Sequence, residues 1–546
     1  MPAELLLVPP VVLVIGALLT WTLGFGGLPS RLPGAAVVWL ALIVLVLAWI
    51  GVGRQPTELS TPIAAEPLPI VLRMDALSFA IGLVVLSTAA LLLTFQPWQW
   101  EEAGAATLAT AFAMVAVEAD SLALTALALG ACAAMVTMIL RQELEQSARS
   151  AWLALLLASL ILLWGAAALV TFSGGTSLFS AVPVQAFKWQ VFVLIAIPAV
   201  LCSGLVPWRT WVSEVWSRPK LGGAGIGVGL LVPLGFLLLL RTYTLGGGQW
   251  PVSWLHWVLS VLGLLVALAA ALRAQAAPDH RSQLGETVPL AGGLALLALS
   301  LGTPLGVAAA VTGVAATGLA VALGMVLPAG GRVTLLGIPL VVGAPPGLTF
   351  GARLLTVQAA LEAGSGQALL TVGIVAAWFL GYIAAARAAW LPPGAGRGSR
   401  AGALVASAAI IGAGAGLGAL EQFIAVPAAE AVLSLQTTPI SAGVGEVTTA
   451  SGTFDALPLA IPFAVLLVLF AFFTRPLGLA SQRREIRALL RLRMPALPEG
   501  LGDQLRALPS LVRSSVRLGT PERLMTQGSI WLWVVVAVVL LVVVTR

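Results

Sequence analysis

Uncharged apolar runs of about 20 residues recur along the whole chain, and no other feature limits its possible folds so severely. A run of that length matches the hydrocarbon core of a bilayer. Every backbone N–H and C=O there must be satisfied within the segment, so each run reads as a transmembrane α-helix. The spans fall near Leu5–Phe25, Ala35–Val52, Ala76–Phe95, Ala103–Val117, Ser121–Leu140, Trp152–Phe172, Val191–Val206 and Gly222–Leu240. They continue near Trp254–Leu272, Val288–Leu301, Leu305–Leu327, Val333–Leu348, Ala368–Trp390, Ala401–Leu420, Leu457–Phe473 and Ile530–Val544. The expected fold class is an all-α membrane protein of about sixteen transmembrane helices. Composition agrees: 9% of the 546 residues are charged and the mean hydropathy is +1.03. A soluble domain carries roughly 25% charged residues, so this chain could not cover a water-facing surface.

The net charge of +6 does not point to nucleic acid, because the basic residues sit mostly between apolar runs and not in one patch. They read as topology-setting residues. With the N-terminus outside, inward loops hold Arg31, Arg141, Arg149, Arg209, Arg218, Lys220, Arg273, Arg281, Arg332, Arg387, Arg397 and Arg400. Outward loops hold fewer, chiefly Arg54, Arg73, Lys188, Arg241 and Arg353, and the stretch from Gln422 to Asp455 has no Lys or Arg. Lys and Arg resist translocation, which fits an integral protein of a bacterial inner membrane with that orientation. The first run, preceded only by Met1, Pro2, Ala3 and Glu4, reads as a retained helix.

Cys132 and Cys202 both lie inside apolar runs and read as small buried hydrophobes; His256 and His280 are far apart. No Cys/His cluster has metal-ligand spacing, so no metal and no redox cofactor is expected in this chain. Residues 475–527 are the one long polar stretch. Arg483, Arg484, Arg487, Arg491 and Arg493 alternate there with Ile486, Leu489, Leu490 and Leu492, with breaks at Pro495, Pro498 and Pro509. That pattern fits amphipathic helices along the inner membrane surface, or alternatively a solvated basic linker, ahead of a final anchor at 528–546.

Three motifs then occur in order. Arg73, Met74, Asp75, Ala76, Leu77, Ser78 and Phe79 open the third span, Pro207, Trp208, Arg209, Thr210 and Trp211 precede the eighth, and Gly343-Ala-Pro-Pro-Gly-Leu-Thr-Phe-Gly-Ala-Arg353 follows. Together they resemble the antiporter-like proton-translocating subunits shared by respiratory complex I, membrane-bound hydrogenases and multisubunit cation/proton antiporters. The basic tail and last anchor resemble the large distal type of subunit.

The resemblance implies two inverted five-helix repeats, placed at 101–242 and 243–392. Flanking them are N-terminal helices at 1–100, C-terminal helices with an outward loop at 393–474, and the lateral segment and anchor already described. Each repeat would contain a helix broken near the midplane, with candidates at Pro219–Pro233 and Pro339–Gly351. Close helix packing through small residues is the other reading of these glycines.

The same resemblance shows what is missing. Gly130 stands where the family has its membrane glutamate, Cys202 where it has the paired lysine, and Arg209 where it has a loop histidine. A charge at membrane depth costs roughly 2.5–3.5 kcal/mol, so such residues persist mainly where they act. The remaining proton-path candidates are Arg353, Glu286, Arg281, Asp279, Glu118 and Asp120, each with the plainer alternative of an interfacial charge in contact with water. Arg353 takes the family's lysine position, but arginine keeps its proton and could steer without relaying.

The resemblance thus implies a subunit, itself without catalytic residues, of an NADH:quinone-type or hydrogenase-type assembly. Its partners would be other membrane subunits and the lipid bilayer, with quinone reached through neighbours. A purely structural subunit is the alternative, and a free-standing secondary transporter a third.

Overall fold

In the computed structural model, residues 3–25, 31–60, 70–143, 145–206, 211–216, 222–277, 279–327, 332–388, 399–433, 441–443, 446–449, 452–455 and 465 are described. The predicted lateral segment, the final anchor and all but one residue of the fifteenth span lie outside them. Helices run in the order α1 (Val8–Phe25), α2 (Arg31–Gly51), α3 (Ala76–Phe95), α4 (Trp100–Glu118), α5 (Leu122–Glu143), α6 (Glu145–Ser173), α7 (Trp189–Ser203), α8 (Trp211–Trp216) and α9 (Gly222–Leu245). They continue as α10 (Leu255–Gln275), α11 (His280–Ser300), α12 (Pro304–Val326), α13 (Arg332–Val342), α14 (Leu348–Glu362), α15 (Ser365–Ala388), α16 (Arg400–Ala415), α17 (Leu417–Leu420) and α18 (Val426–Leu433). A hairpin of β1 (Thr57–Ser60) and β2 (Val71–Met74) precedes α3, and a small antiparallel sheet of β3 (Ser441–Gly443), β4 (Glu446–Thr449) and β5 (Gly452–Asp455) follows α18.

Each of the first fourteen apolar runs overlaps a described helix, the twelfth with a break inside it. Among the described residues, eight helices are long and apolar enough to cross a bilayer, nine when the bent pair around Gly416 counts as one. The chain is therefore an integral, all-α membrane protein. Its lipid-facing surface carries apolar stripes at helical spacing, such as Trp254, Trp257, Val258, Val261 and Leu265 along α10. By contrast, α9 is buried along residues 223–243 and forms the centre of the bundle.

Local chemistry sets the ends. Asp75 caps α3 by accepting from the Ser78 N–H at 2.8 Å, Asp279 caps α11, Thr303 precedes Pro304 at the start of α12, and Ser399 caps α16. Gly204, at φ +65°, closes α7. Backbones meet most closely where Gly263 of α10 faces Gly293 of α11, each leaving less than 3 Å from a would-be Cβ to the other helix's main chain.

Three expectations need correction. Within the candidate break Pro219–Pro233, the described part from Gly222 onward is continuous helix: α9 runs through Pro233 without interruption. Its glycines are packing sites instead, with Gly227 against Val136 of α5 and Gly229 against Thr88 of α3. The twelfth span does not end at Leu348; after a break it continues as α14 to Glu362. The outward loop does not begin at Gln422, since helix extends to Leu433 through a bend of 79° at Gly416. An acid beside a glutamine ended the apolar run in the sequence, although the run resumes at once.

Candidate functional site

The ionisable candidates gather at three places. At one end of the bundle, Asp75 and Arg241, on the last turns of α9, form a buried two-pronged pair, with Nη1 to Oδ2 at 2.6 Å and Nη2 to Oδ1 at 3.2 Å. Arg241 Nη2 also donates to the Ser78 hydroxyl at 2.8 Å, which donates in turn to the Val117 carbonyl at 2.9 Å. Arg73 lies 3.6 Å from both Asp75 and Asp120, and 3.5 Å from Glu58 across the hairpin. The Ser180 hydroxyl donates to Asp120.

Glu118 and Asp120 are thus not the water-contacting charges considered above: each is 1% exposed. The β2 strand and the chain around Ser177–Phe179 fold over their junction, with Asp120 N–H donating to Val71 and Phe179 N–H to Asp120. Neither carboxylate oxygen of Glu118 has a hydrogen-bond partner among the described residues.

The cluster splits its two aspartates. Burial pushes Asp75 up, but the charge and hydrogen bond of Arg241, the Ser78 N–H and Arg73 outweigh it, and the carboxyl is held below its ordinary value. For Asp120, burial prevails over the Ser180 hydroxyl and both arginines and holds the carboxyl above it.

At the opposite end, Arg273 of α10 donates from Nε to Glu286 of α11 at 2.8 Å, with Glu286 buried. Asp279 is spent on capping, accepting from the Arg281 and Ser282 N–H groups, and Arg281 is buried beside it on the first turn of α11.

The third place is the break between α13 and α14. Pro339 and Pro346 withhold backbone donors, Gly343 turns the chain at φ +108°, and the Thr349 hydroxyl donates back to the Leu340 carbonyl. Arg353 sits one and a half turns into α14, 3% exposed, its guanidinium against Gly343 and 6.0 Å from the Trp378 ring. Tyr382 of α15 donates its hydroxyl to the Gly343 carbonyl. Neither terminal nitrogen of Arg353 has a hydrogen-bond partner among the described residues. The guanidinium lines a cavity of about 20 Å³ with Thr349, Thr356, Ala295, Gly313 and Ala316, room for one water molecule.

Of the degenerate positions, Gly130 packs against Ser159, Cys202 is a fully buried free thiol, and Arg209 lies outside the described residues. Sequence reasoning missed Glu421, which is fully buried after the bend in the fourteenth span and accepts from the Thr312 hydroxyl of α12. The available signal was the apolar stretch on both sides of it, from Ala401 to Leu420 and from Phe423 to Ala429.

Neither a protein-family model nor a curated protein sequence matches the chain. Solved structures do. A chain of the Mrp complex from a Dietzia species aligns at 20% identity and a TM-score of 0.70, covering 99% of this chain. This chain spans 63% of that relative's length. A chain of the membrane-bound sulfane sulfur reductase, an archaeal respiratory membrane complex, aligns at 17% identity and a TM-score of 0.72, over 98% of this chain and 99% of its own length. A chain of respiratory complex I from Thermus thermophilus aligns at 21% and 0.64, over 78% of this chain and 100% of its own length. The protein therefore shares the fold of these chains, in agreement with the fold expected from the resemblance of its three motifs.

Proposed function

We propose that this chain is an antiporter-like membrane subunit of a multisubunit respiratory-type complex, in which the first repeat is scaffold and the second half keeps a proton path. The full plan would be sixteen spans with inverted repeats at 101–242 and 243–392, the N-terminus outside, in a bacterial inner membrane. Other membrane subunits would flank it and donors or quinone would act through them.

Arg353 carries the reading. A buried guanidinium at a helix break, beside a water-sized cavity and two hydroxyls, is costly to keep in lipid unless it acts on charge that passes nearby. Arginine does not release its proton, so its role is a fixed positive potential that orders water at the break. With the N-terminus outside, the Arg273–Glu286 pair would stand at the inner end, where a carboxylate could exchange protons with the cytoplasm. In the first half, α3 and α7 carry no charged residue and α9 none before Arg241, and the positions of the family couple hold Gly130 and Cys202. The buried charges of that half, Asp75, Glu118, Asp120 and Arg241, stand together at one end of the bundle, and the apolar length of these spans supports the scaffold assignment.

The test is proton flux in proteoliposomes holding the intact complex. Arg353→Ala and Glu286→Gln are expected to lower flux, and Arg353→Lys to retain part of it. Unchanged flux in both of the first two would favour a purely structural subunit.

A further inference from the structure

We propose that Glu421 is the proton-carrying carboxyl of this chain, standing on the bent fourteenth span in place of the membrane glutamate that the fifth span lacks. The inference rests on the reading of the chain as a conducting subunit.

Three observations converge on it. Glu421 opens a π-turn, Glu421–Ala425, directly after the 79° bend, and such wide turns free backbone carbonyls from the regular ladder. The side chain is fully buried, with Oε1 accepting from the Thr312 hydroxyl and Oε2 without a hydrogen-bond partner among the described residues. The long spans packed on this turn, α3 and α12, contain no charged or titratable residue, and the acid of α18, Glu430, lies more than two turns further on and is half-buried.

Arg54 stacks on the Phe423 ring of the same π-turn, 5.1 Å from its centroid, but no described cation forms an ion pair with the Glu421 carboxyl. A bare carboxylate in such surroundings costs several kcal/mol, whereas a carboxylic acid needs only the hydroxyl partner already present. Calcium or magnesium would need six or more oxygens, the described side chains bring three together here, and no described group of three or more His, Cys, Asp or Glu could hold a metal ion. A proton needs one.

In the transfer step, the Glu421 O–H bond breaks, the electron pair stays on the carboxylate, and the proton passes to a water entering at the bend. Thr312 then donates to the carboxylate until a proton arrives from the other side.

The experiment is infrared difference spectroscopy of the intact complex during a pH titration, run beside the flux assay. Wild type should show the C=O band of a protonated acid in apolar surroundings. Glu421→Gln, near-isosteric and able to keep the Thr312 contact, should lose the band and lower flux by about 10²-fold, the scale of removing a positioned acid. Thr312→Val should keep the band and move it to higher frequency. Persistence of the band in Glu421→Gln, or full flux in that variant, overturns the inference while the conducting role stands. Absence of flux from wild type, with or without the band, overturns the conducting role itself.

Discussion

Arg73 lies 3.6 Å from both Asp75 and Asp120, and burial raises both carboxyls, yet their net shifts are opposite because only Asp75 is hydrogen-bonded to Arg241. Asp75 has a lowered folded value, so its stabilisation is present above the unfolded aspartate value of about 3.9 and is lost as pH falls through the folded one. Asp120 has a raised folded value, so its contribution is present below the unfolded value of about 3.9 and is lost as pH rises through the folded one. At neutral pH, Asp75→Asn should destabilise by about 3–5 kcal/mol, since it strands the buried Arg241. Asp120→Asn should be neutral or mildly stabilising at the same pH and should lose any advantage in acid. Thermal unfolding of the detergent-solubilised chain across pH checks both, and equal losses at pH 7 would contradict the assignment.

Helices in this protein meet through glycine where backbones touch, and the consequences differ by position. A methyl at Gly263 would meet the Gly293 carbonyl at 2.6 Å and force α10 from α11. At Gly343 it would meet the Arg353 guanidinium at 2.8 Å on a backbone at φ +108°. Gly412 on α16 has nothing within 4 Å. Gly343→Ala should therefore cost about 1–3 kcal/mol and Gly263→Ala a comparable amount, whereas Gly412→Ala should gain up to about 1 kcal/mol of helix propensity. Unfolding midpoints that rank the three differently would contradict this packing.

The same positions explain what was legible. Apolar run length located the helices, because lipid leaves the backbone no alternative. It could not tell a glycine that packs, as in α9, from one that breaks, as at Gly343, because that depends on what stands opposite. Burial of Glu118 and Asp120 was illegible for a like reason: the cover comes from β2 and from residues more than fifty positions away. The second candidate, Pro339–Gly351, offered by the family resemblance and marked by Pro339, Gly343, Pro345 and Pro346, does break the helix, between α13 and α14.

Across the whole molecule, buried polar chemistry is unevenly shared. The first half gathers its buried charges, Asp75, Glu118, Asp120 and Arg241, at one end of the bundle and is apolar around Gly130 and Cys202, whereas Arg353 with its cavity, Tyr382 and Glu421 lie in the second half. Solved structures with the same fold come from an Mrp complex and an archaeal respiratory membrane complex. The most direct test compares proton flux through proteoliposomes of the intact complex carrying either Cys202→Ala or Arg353→Ala. The account predicts wild-type flux for Cys202→Ala and strongly reduced flux for Arg353→Ala, whereas equal loss in both, or loss confined to Cys202→Ala, would contradict it.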